Sequence, residues 1–203
     1  MKPLSRSFYL RPTLQVAQEL LGKYFIRRIG KNLLIGKIVE VEAYRSNDPA
    51  SHSFRGKTNR NNVMFCEGGH LYVYFTYGMH FCANIVTGQN GIGEAVLIRA
   101  VEPLVGIDMM RINRYGSNKS LNLKSLNHKP LINLTNGPAK FCQAFGIARQ
   151  ENGLDLLNSE ISITEGESVP LKLIKRSIRI GIQQGVEKKW RFFIKGNPWV
   201  SRK

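Results

Sequence analysis

Glu42 and Tyr44 stand two residues apart at the end of Leu33–Tyr44, a run in which Val39, Val41 and Ala43 alternate with Glu40, Glu42 and Tyr44. Side chains at i and i+2 of a strand leave the same face, roughly 6.5 Å apart at a rise of ~3.3 Å per residue. The pair sets a carboxylate able to take a proton from water beside a ring able to cover a flat ligand. A solvated glutamate on an edge strand, with a tyrosine packed on its neighbour, would give the same letters. His70–Phe81 narrows the choice, because HLYVYFTYGMHF holds three tyrosines and two phenylalanines in twelve residues. Tyr72 and Tyr74 share one face of an outgoing strand, and His80, Cys82 and Asn84 share one face of a return strand. Thr76-Tyr77-Gly78-Met79 breaks the alternation and predicts a turn with Tyr77 at its tip, where a ring has little core to enter. Stacking on a nucleobase would cover it, worth on the order of 1–3 kcal/mol per base. Proteins that bend or probe duplex DNA push such wedges between base steps.

The charge supports a polyanionic partner. Thirty Lys+Arg face fourteen Asp+Glu in 203 residues, a formal net charge of +16, and an excess of this size is the electrostatic footprint of nucleic-acid binding. A membrane surface fits less well, since the basic residues are spread along the chain instead of gathered on one amphipathic helix. No window approaches the apolar length of a membrane span, and MKPLSRSFYLRP lacks the apolar centre of a signal peptide. The expectation is a cytoplasmic protein, not a secreted one. Cys66, Cys82 and Cys142 show no Cys-x-x-Cys spacing, and His52, His70, His80 and His128 fall on different elements. Neither a disulfide framework nor a metal site is expected.

The elements that must position these residues follow from periodicity. Arg11–Arg28 carries Leu14, Ala17, Leu20 and Leu21 at helical intervals with Pro12 near its start, which predicts a first helix. Leu33–Tyr44 is a strand, Leu71–Phe75 and His80–Val86 form a hairpin, and Glu94–Glu102 is a further strand. Pro103 is expected to open a helix, PLVGIDMMRINR. Ser117–Lys129 reads as a polar exposed loop. Asn136-Gly137-Pro138 starts a helix through Ala144, with Gly146 as its terminator. LKLIKRSIRIGI and RFFIKGNPWV are strand-like, with Glu187–Trp190 as a basic turn between them. No repeat or linker divides the chain. The expected architecture is a single α+β domain over residues 1–203, with a curved, largely antiparallel sheet, surrounding helices and a protruding β-hairpin.

The runs VEAYRSNDPASHS, MFCEGGHLYVYFTYGMHFCANI, AVLIRAVEPLVG, LTNGPAKFCQAFGI and RFFIKGNPWVS resemble the alkyladenine (3-methyladenine) DNA glycosylases of the mammalian type. The match runs in order from about Leu14 to Ser201. The resemblance implies a monofunctional base-excision repair enzyme. It would flip alkylated or deaminated purines (3-methyladenine, 7-methylguanine, hypoxanthine, ethenoadenine) out of double-stranded DNA and hydrolyse the N-glycosidic bond, leaving an abasic site. A monomer without metal or organic cofactor is implied, in a compact bacterial form.

Carried over residue by residue, Glu42 resembles the general base that activates the attacking water. Arg99 resembles the side chain near that water and the target's phosphate, and the Ile180 carbonyl resembles a further contact to the water. Tyr44, His52 and Tyr74 match the pocket that sandwiches the flipped base, with the main-chain N–H of His52 offered to the purine edge. Tyr72 resembles the residue that steadies the histidine, Asn84 the one that obstructs the 2-amino group of guanine, and Tyr77 the intercalating residue. The Glu42–His52 segment is one residue shorter than in the mammalian pattern, and His80 replaces an aromatic tyrosine. Two other readings compete. A noncatalytic nucleic-acid module would use Tyr72, Tyr74 and Tyr77 as a stacking platform but leave Glu42 without purpose. Direct repair by a cysteine would need a thiolate, and no basic neighbours argue for one at Cys82 or Cys142.

Overall fold

The computed structural model describes residues 1–116 and 130–201. Strands β1 (Tyr24–Ile29), β2 (Asn32–Tyr44), β3 (Leu71–Thr76), β4 (His80–Val86), β5 (Ala95–Val105), β6 (Ile161–Thr164), β7 (Ile174–Ser177) and β8 (Arg191–Ile194) form one sheet. Its main path runs β3-β4-β5-β2-β1-β6, antiparallel at every step and curled into a half-barrel. The long β2 is the axis of the arrangement. Its first half pairs with β1, its second half with β8 on that same side, and β5 borders most of the other side. Helices α1 (Arg6–Tyr9), α2 (Thr13–Glu19), α3 (Ile107–Tyr115) and α4 (Pro138–Phe145) pack around the sheet, giving the expected α+β class.

The first helix is shorter than its apolar spacing predicts. α2 ends at Glu19, and Gly22 turns the chain with φ +86°, a conformation in which a Cβ would lie 2.2 Å from the Glu167 carbonyl. Tyr24–Ile29 then runs as β1, because aromatic and β-branched residues (Tyr24, Phe25, Ile26) pair with Ile35–Lys37. The expected helix start at Pro103 is also overturned. Pro103 lies inside β5, opposite Gly36 at a register shift, where β4 no longer flanks β5. A proline without an N–H is tolerated on such an edge, and α3 begins only after Gly106, whose φ is +79°.

α4 fits its expected boundaries, with Pro138 in the first turn and Gly146 at the end. Its buried Phe141 and Phe145 meet Phe25 edge-on at 5.0 and 5.4 Å, sealing the main core. Of the two strand-like runs LKLIKRSIRIGI and RFFIKGNPWV, only Ile174–Ser177 and Arg191–Ile194 are strands, joined by residues 178–190 rather than by a turn at Glu187–Trp190. β6 carries no alternation long enough to be read from sequence. The expected loop Ser117–Lys129 lies outside the described residues. The hairpin of β3 and β4 closes with Thr76 opposite His80, so Tyr77–Met79 forms the loop. Tyr77 is 81% exposed and Met79 68%.

Candidate active site

β2, β3, β4, β5 and the 178–190 connection converge on a cleft of about 990 Å³. Tyr44, His52, Tyr72, Tyr74, Asn84, Arg99 and Ile180 line it, and Tyr77 lies at the hairpin end. Glu42 does not face the cleft directly. Its side chain is fully buried just behind the lining, and three of the lining residues bind its carboxylate.

The main-chain N–H of Ile180 donates to Glu42 Oε1 at 2.7 Å, the Tyr44 hydroxyl donates to Oε2 at 2.9 Å, and Arg99 Nη1 lies 3.2 Å from Oε2. A carboxylate offers about four lone-pair sites, so three donors leave one on Oε1. Where the resemblance implies an Ile180 carbonyl contact to water, the amide of the same residue holds the acid itself. Burial, with the negative charge of Glu42, pushes the Tyr44 phenol well above its ordinary range, so it remains a donor at neutral pH. Burial opposes the charge on Arg99, but Glu42 and then Glu40 more than offset it and raise the guanidinium's pKa.

The aromatic side of the cleft is as ordered. His52 Nδ1 hydrogen-bonds the Tyr72 hydroxyl at 3.0 Å, and the His52 ring meets the Tyr74 ring edge-on at 4.5 Å. Asn61 Nδ2 donates to the His52 carbonyl at 2.7 Å, while the His52 main-chain N–H meets no acceptor among the described residues. His52 lines the cleft as an exposed residue, yet desolvation of its ring lowers its pKa, helped by the cation of Arg60. Burial pushes Tyr72 up to about 12. Asn84, nearly enclosed, stands opposite Tyr72 and donates to its carbonyl at 3.2 Å. Cys82 borders the same cleft, but burial raises its pKa and that of Cys142, so neither is favoured as the thiolate that the reactive-cysteine reading needs.

A sequence profile of the methylpurine-DNA glycosylase family matches residues 7–198 of the 203. The chain belongs to that family. It is 49% identical over 201 residues to a provisionally named 3-methyladenine DNA glycosylase of Carboxydothermus hydrogenoformans, covering 98% of this chain and 99% of the relative. Similarly named proteins of Clostridium acetobutylicum and Francisella tularensis are 45% and 43% identical, covering 98% and 94% of this chain and 97% and 94% of their own lengths. The protein is thus a DNA glycosylase, a hydrolase of DNA repair. Among its described residues no helix is long and apolar enough to cross a membrane.

The glycosylase carries supporting residues that its sequence does not advertise. Arg179, fully buried, pairs through both terminal nitrogens with Asp48, donates to the Ala43 carbonyl, and lies 4.7 Å over the Tyr44 ring and 5.3 Å over Trp190. One ion pair therefore ties the loop bearing Ile180 to the segment between Tyr44 and His52. Lys188 adds a second cation at 3.3 Å from Asp48. Arg179 is a lone charge among isoleucines in sequence, and Asp48 one of several loop polars, so nothing local links them. Glu40, by contrast, shares the alternation that singles out Glu42.

Proposed function

We propose that this glycosylase removes damaged purines, 3-methyladenine, 7-methylguanine, hypoxanthine and ethenoadenine among them, after flipping the nucleotide out of double-stranded DNA, and that Glu42 is its general base. The observation that carries this reading is the carboxylate of Glu42, buried behind a cleft lined by aromatic rings and held so that one lone pair of Oε1 stays free. His52 and Tyr74 touch edge-on, so no base fits between them. They form one wall against the flipped purine and Tyr44 the other. The free N–H of His52 meets the purine edge, and Asn84 obstructs the 2-amino group of guanine, a penalty that the cationic leaving group of 7-methylguanine offsets and unmodified guanine does not.

The chemistry needs one acid-base group. Departure of the purine builds an oxocarbenium-like sugar, which a carboxylate stabilises while taking the proton of the attacking water. Alkylation at N3 or N7 makes the base cationic and a good leaving group. Neutral hypoxanthine depends on hydrogen bonding at the ring, and a pocket N–H donates to its 6-oxygen but opposes the amino donor of adenine, a mismatch worth about 1–3 kcal/mol. Extrusion costs a few kcal/mol, least where damage has already weakened pairing. Tyr77 fills the gap left in the stack, and the protein acts as a monomer.

The test is a duplex carrying hypoxanthine, incubated in EDTA and then cleaved at abasic sites with alkali. The protein should generate an abasic site, and Glu42→Gln should bind the duplex without excising the base. Normal turnover by Glu42→Gln would remove the base assignment. Binding of the lesion with the base left in place after long incubation with the unsubstituted protein would favour the stacking-platform reading instead.

A further inference from the structure

One arginine bridges two glutamates of β2. Arg99 Nη1 reaches Glu42, and Arg99 Nε donates to Oε1 of Glu40 at 3.0 Å. Glu40 is fully buried. Its Oε1 also accepts from Arg191 Nε at 2.7 Å and from the Ser201 hydroxyl at 2.9 Å, and its Oε2 accepts the Ser201 main-chain N–H at 2.5 Å. Ser201 Oγ accepts in turn from Arg99 Nη2 at 3.4 Å. The guanidinium is therefore gripped at Nε and Nη2 from behind and presents only Nη1 to Glu42.

The backbone is built for this. Glu40 stands opposite Ala100 and Val41 opposite Ile98, so Arg99 is skipped in the pairing of β2 with β5. Such an irregularity re-aims a side chain out of the regular pleat. An arginine facing a single buried carboxylate tends to engage it with two parallel N–H donors. On Glu42 that fork would occupy the lone pair of Oε1 that the other donors leave free.

We infer that Glu40 and Ser201 are positioning residues that act through Arg99, holding it to one contact with Glu42 so that the acid keeps a site for water. This rests on Glu42 being the base. The charges facing the group from neighbouring elements are Arg99 of β5 and Arg191 of β8, with Tyr44 beside Glu42 on β2 and Cys82 on β4.

The test measures single-turnover excision of hypoxanthine and the Kd for the lesion duplex in Glu40→Gln, Ser201→Ala and Ser201→Thr, each alone and combined with Arg99→Ala. Glu40→Gln and Ser201→Ala should slow excision by about 10- to 100-fold, the scale of a small misplacement, with Kd unchanged. Ser201→Thr, which keeps the hydroxyl, should restore the rate. In the Arg99→Ala background neither Glu40→Gln nor Ser201→Ala should cost anything further. Losses that add to that of Arg99→Ala, or an unaltered rate in Ser201→Ala, overturn the proposal. Ser201→Ala keeps the test decisive where Glu40→Gln fails to fold. Glu42→Gln in the same assay separates the two readings: if it is active, the base assignment falls and takes this one with it. If it is inactive while the losses are additive, the positioning role alone is wrong.

Discussion

The amide of Ile180 and the carboxylate of Glu42 meet at 2.7 Å across 138 residues of chain. A hydrogen bond to a buried carboxylate contributes about 1.5–3 kcal/mol, so the 178–190 connection is held onto β2 at the group on which the proposed chemistry turns. Ile180→Pro deletes the donor and should lower single-turnover excision by at least about tenfold, one decade per 1.4 kcal/mol. Ile180→Ala keeps the donor and should stay near the unsubstituted rate. Equal rates for both variants would show the amide to be irrelevant.

Tyr77 is the one described non-glycine residue with positive φ, at +51°, and it is 81% exposed. A side chain in that conformation costs roughly 1–2 kcal/mol, and an exposed ring returns little of it by burial. Tyr77→Gly relieves the strain at some cost in unfolded-state entropy, so thermal stability should rise by up to about 1 kcal/mol. Discrimination between lesion and intact duplex should fall in the same variant. Melting curves and paired binding titrations report the two effects separately.

His52 titrates below its ordinary value of about 6.5. Arg60→Ala removes one of the two causes and should move the midpoint upward in an NMR titration of the imidazole. The direction for stability follows. A histidine with a depressed folded pKa contributes stability that is complete above its unfolded value and lost as pH falls through the folded one. Unfolding free energy should therefore decline on acidification below about 6.5, and less so in Arg60→Ala.

Burial alone would raise the carboxyl of Asp48, but the bonds and charge of Arg179 outweigh it and leave the pKa lowered. Its contribution is complete above the unfolded value of about 3.9 and is lost as pH falls through the lowered one. Asp48→Asn leaves Arg179 buried without its counter-charge, a change that costs about 3–5 kcal/mol. Urea unfolding at neutral pH should show that loss, and the difference from the unsubstituted protein should shrink in strong acid.

Much of the site is legible from local patterns. The period-two run ending at Tyr44 falls on β2 and the broken alternation at Tyr77 falls in the loop between β3 and β4, both at the expected places, because pleat geometry alone decides which side chains share a face. Helix boundaries set by Gly22 and Gly106 were harder to read. Apolar spacing in Arg11–Arg28 fits a helix locally, and only pairing with β2 makes Tyr24–Ile29 a strand.

Sequence by itself determined the family, the basic character, and which rings and which acid stand near one another along β2, β3 and β4. Tertiary structure alone decided that Glu42 is enclosed, since its partners come from Arg99 on β5 and Ile180 in the 178–190 connection. The same holds for Glu40 with Ser201 and for Asp48 with Arg179. Burying a carboxylate demands donors, but the chain can bring them from any distance, and short-range spacing carries no record of which ones arrive.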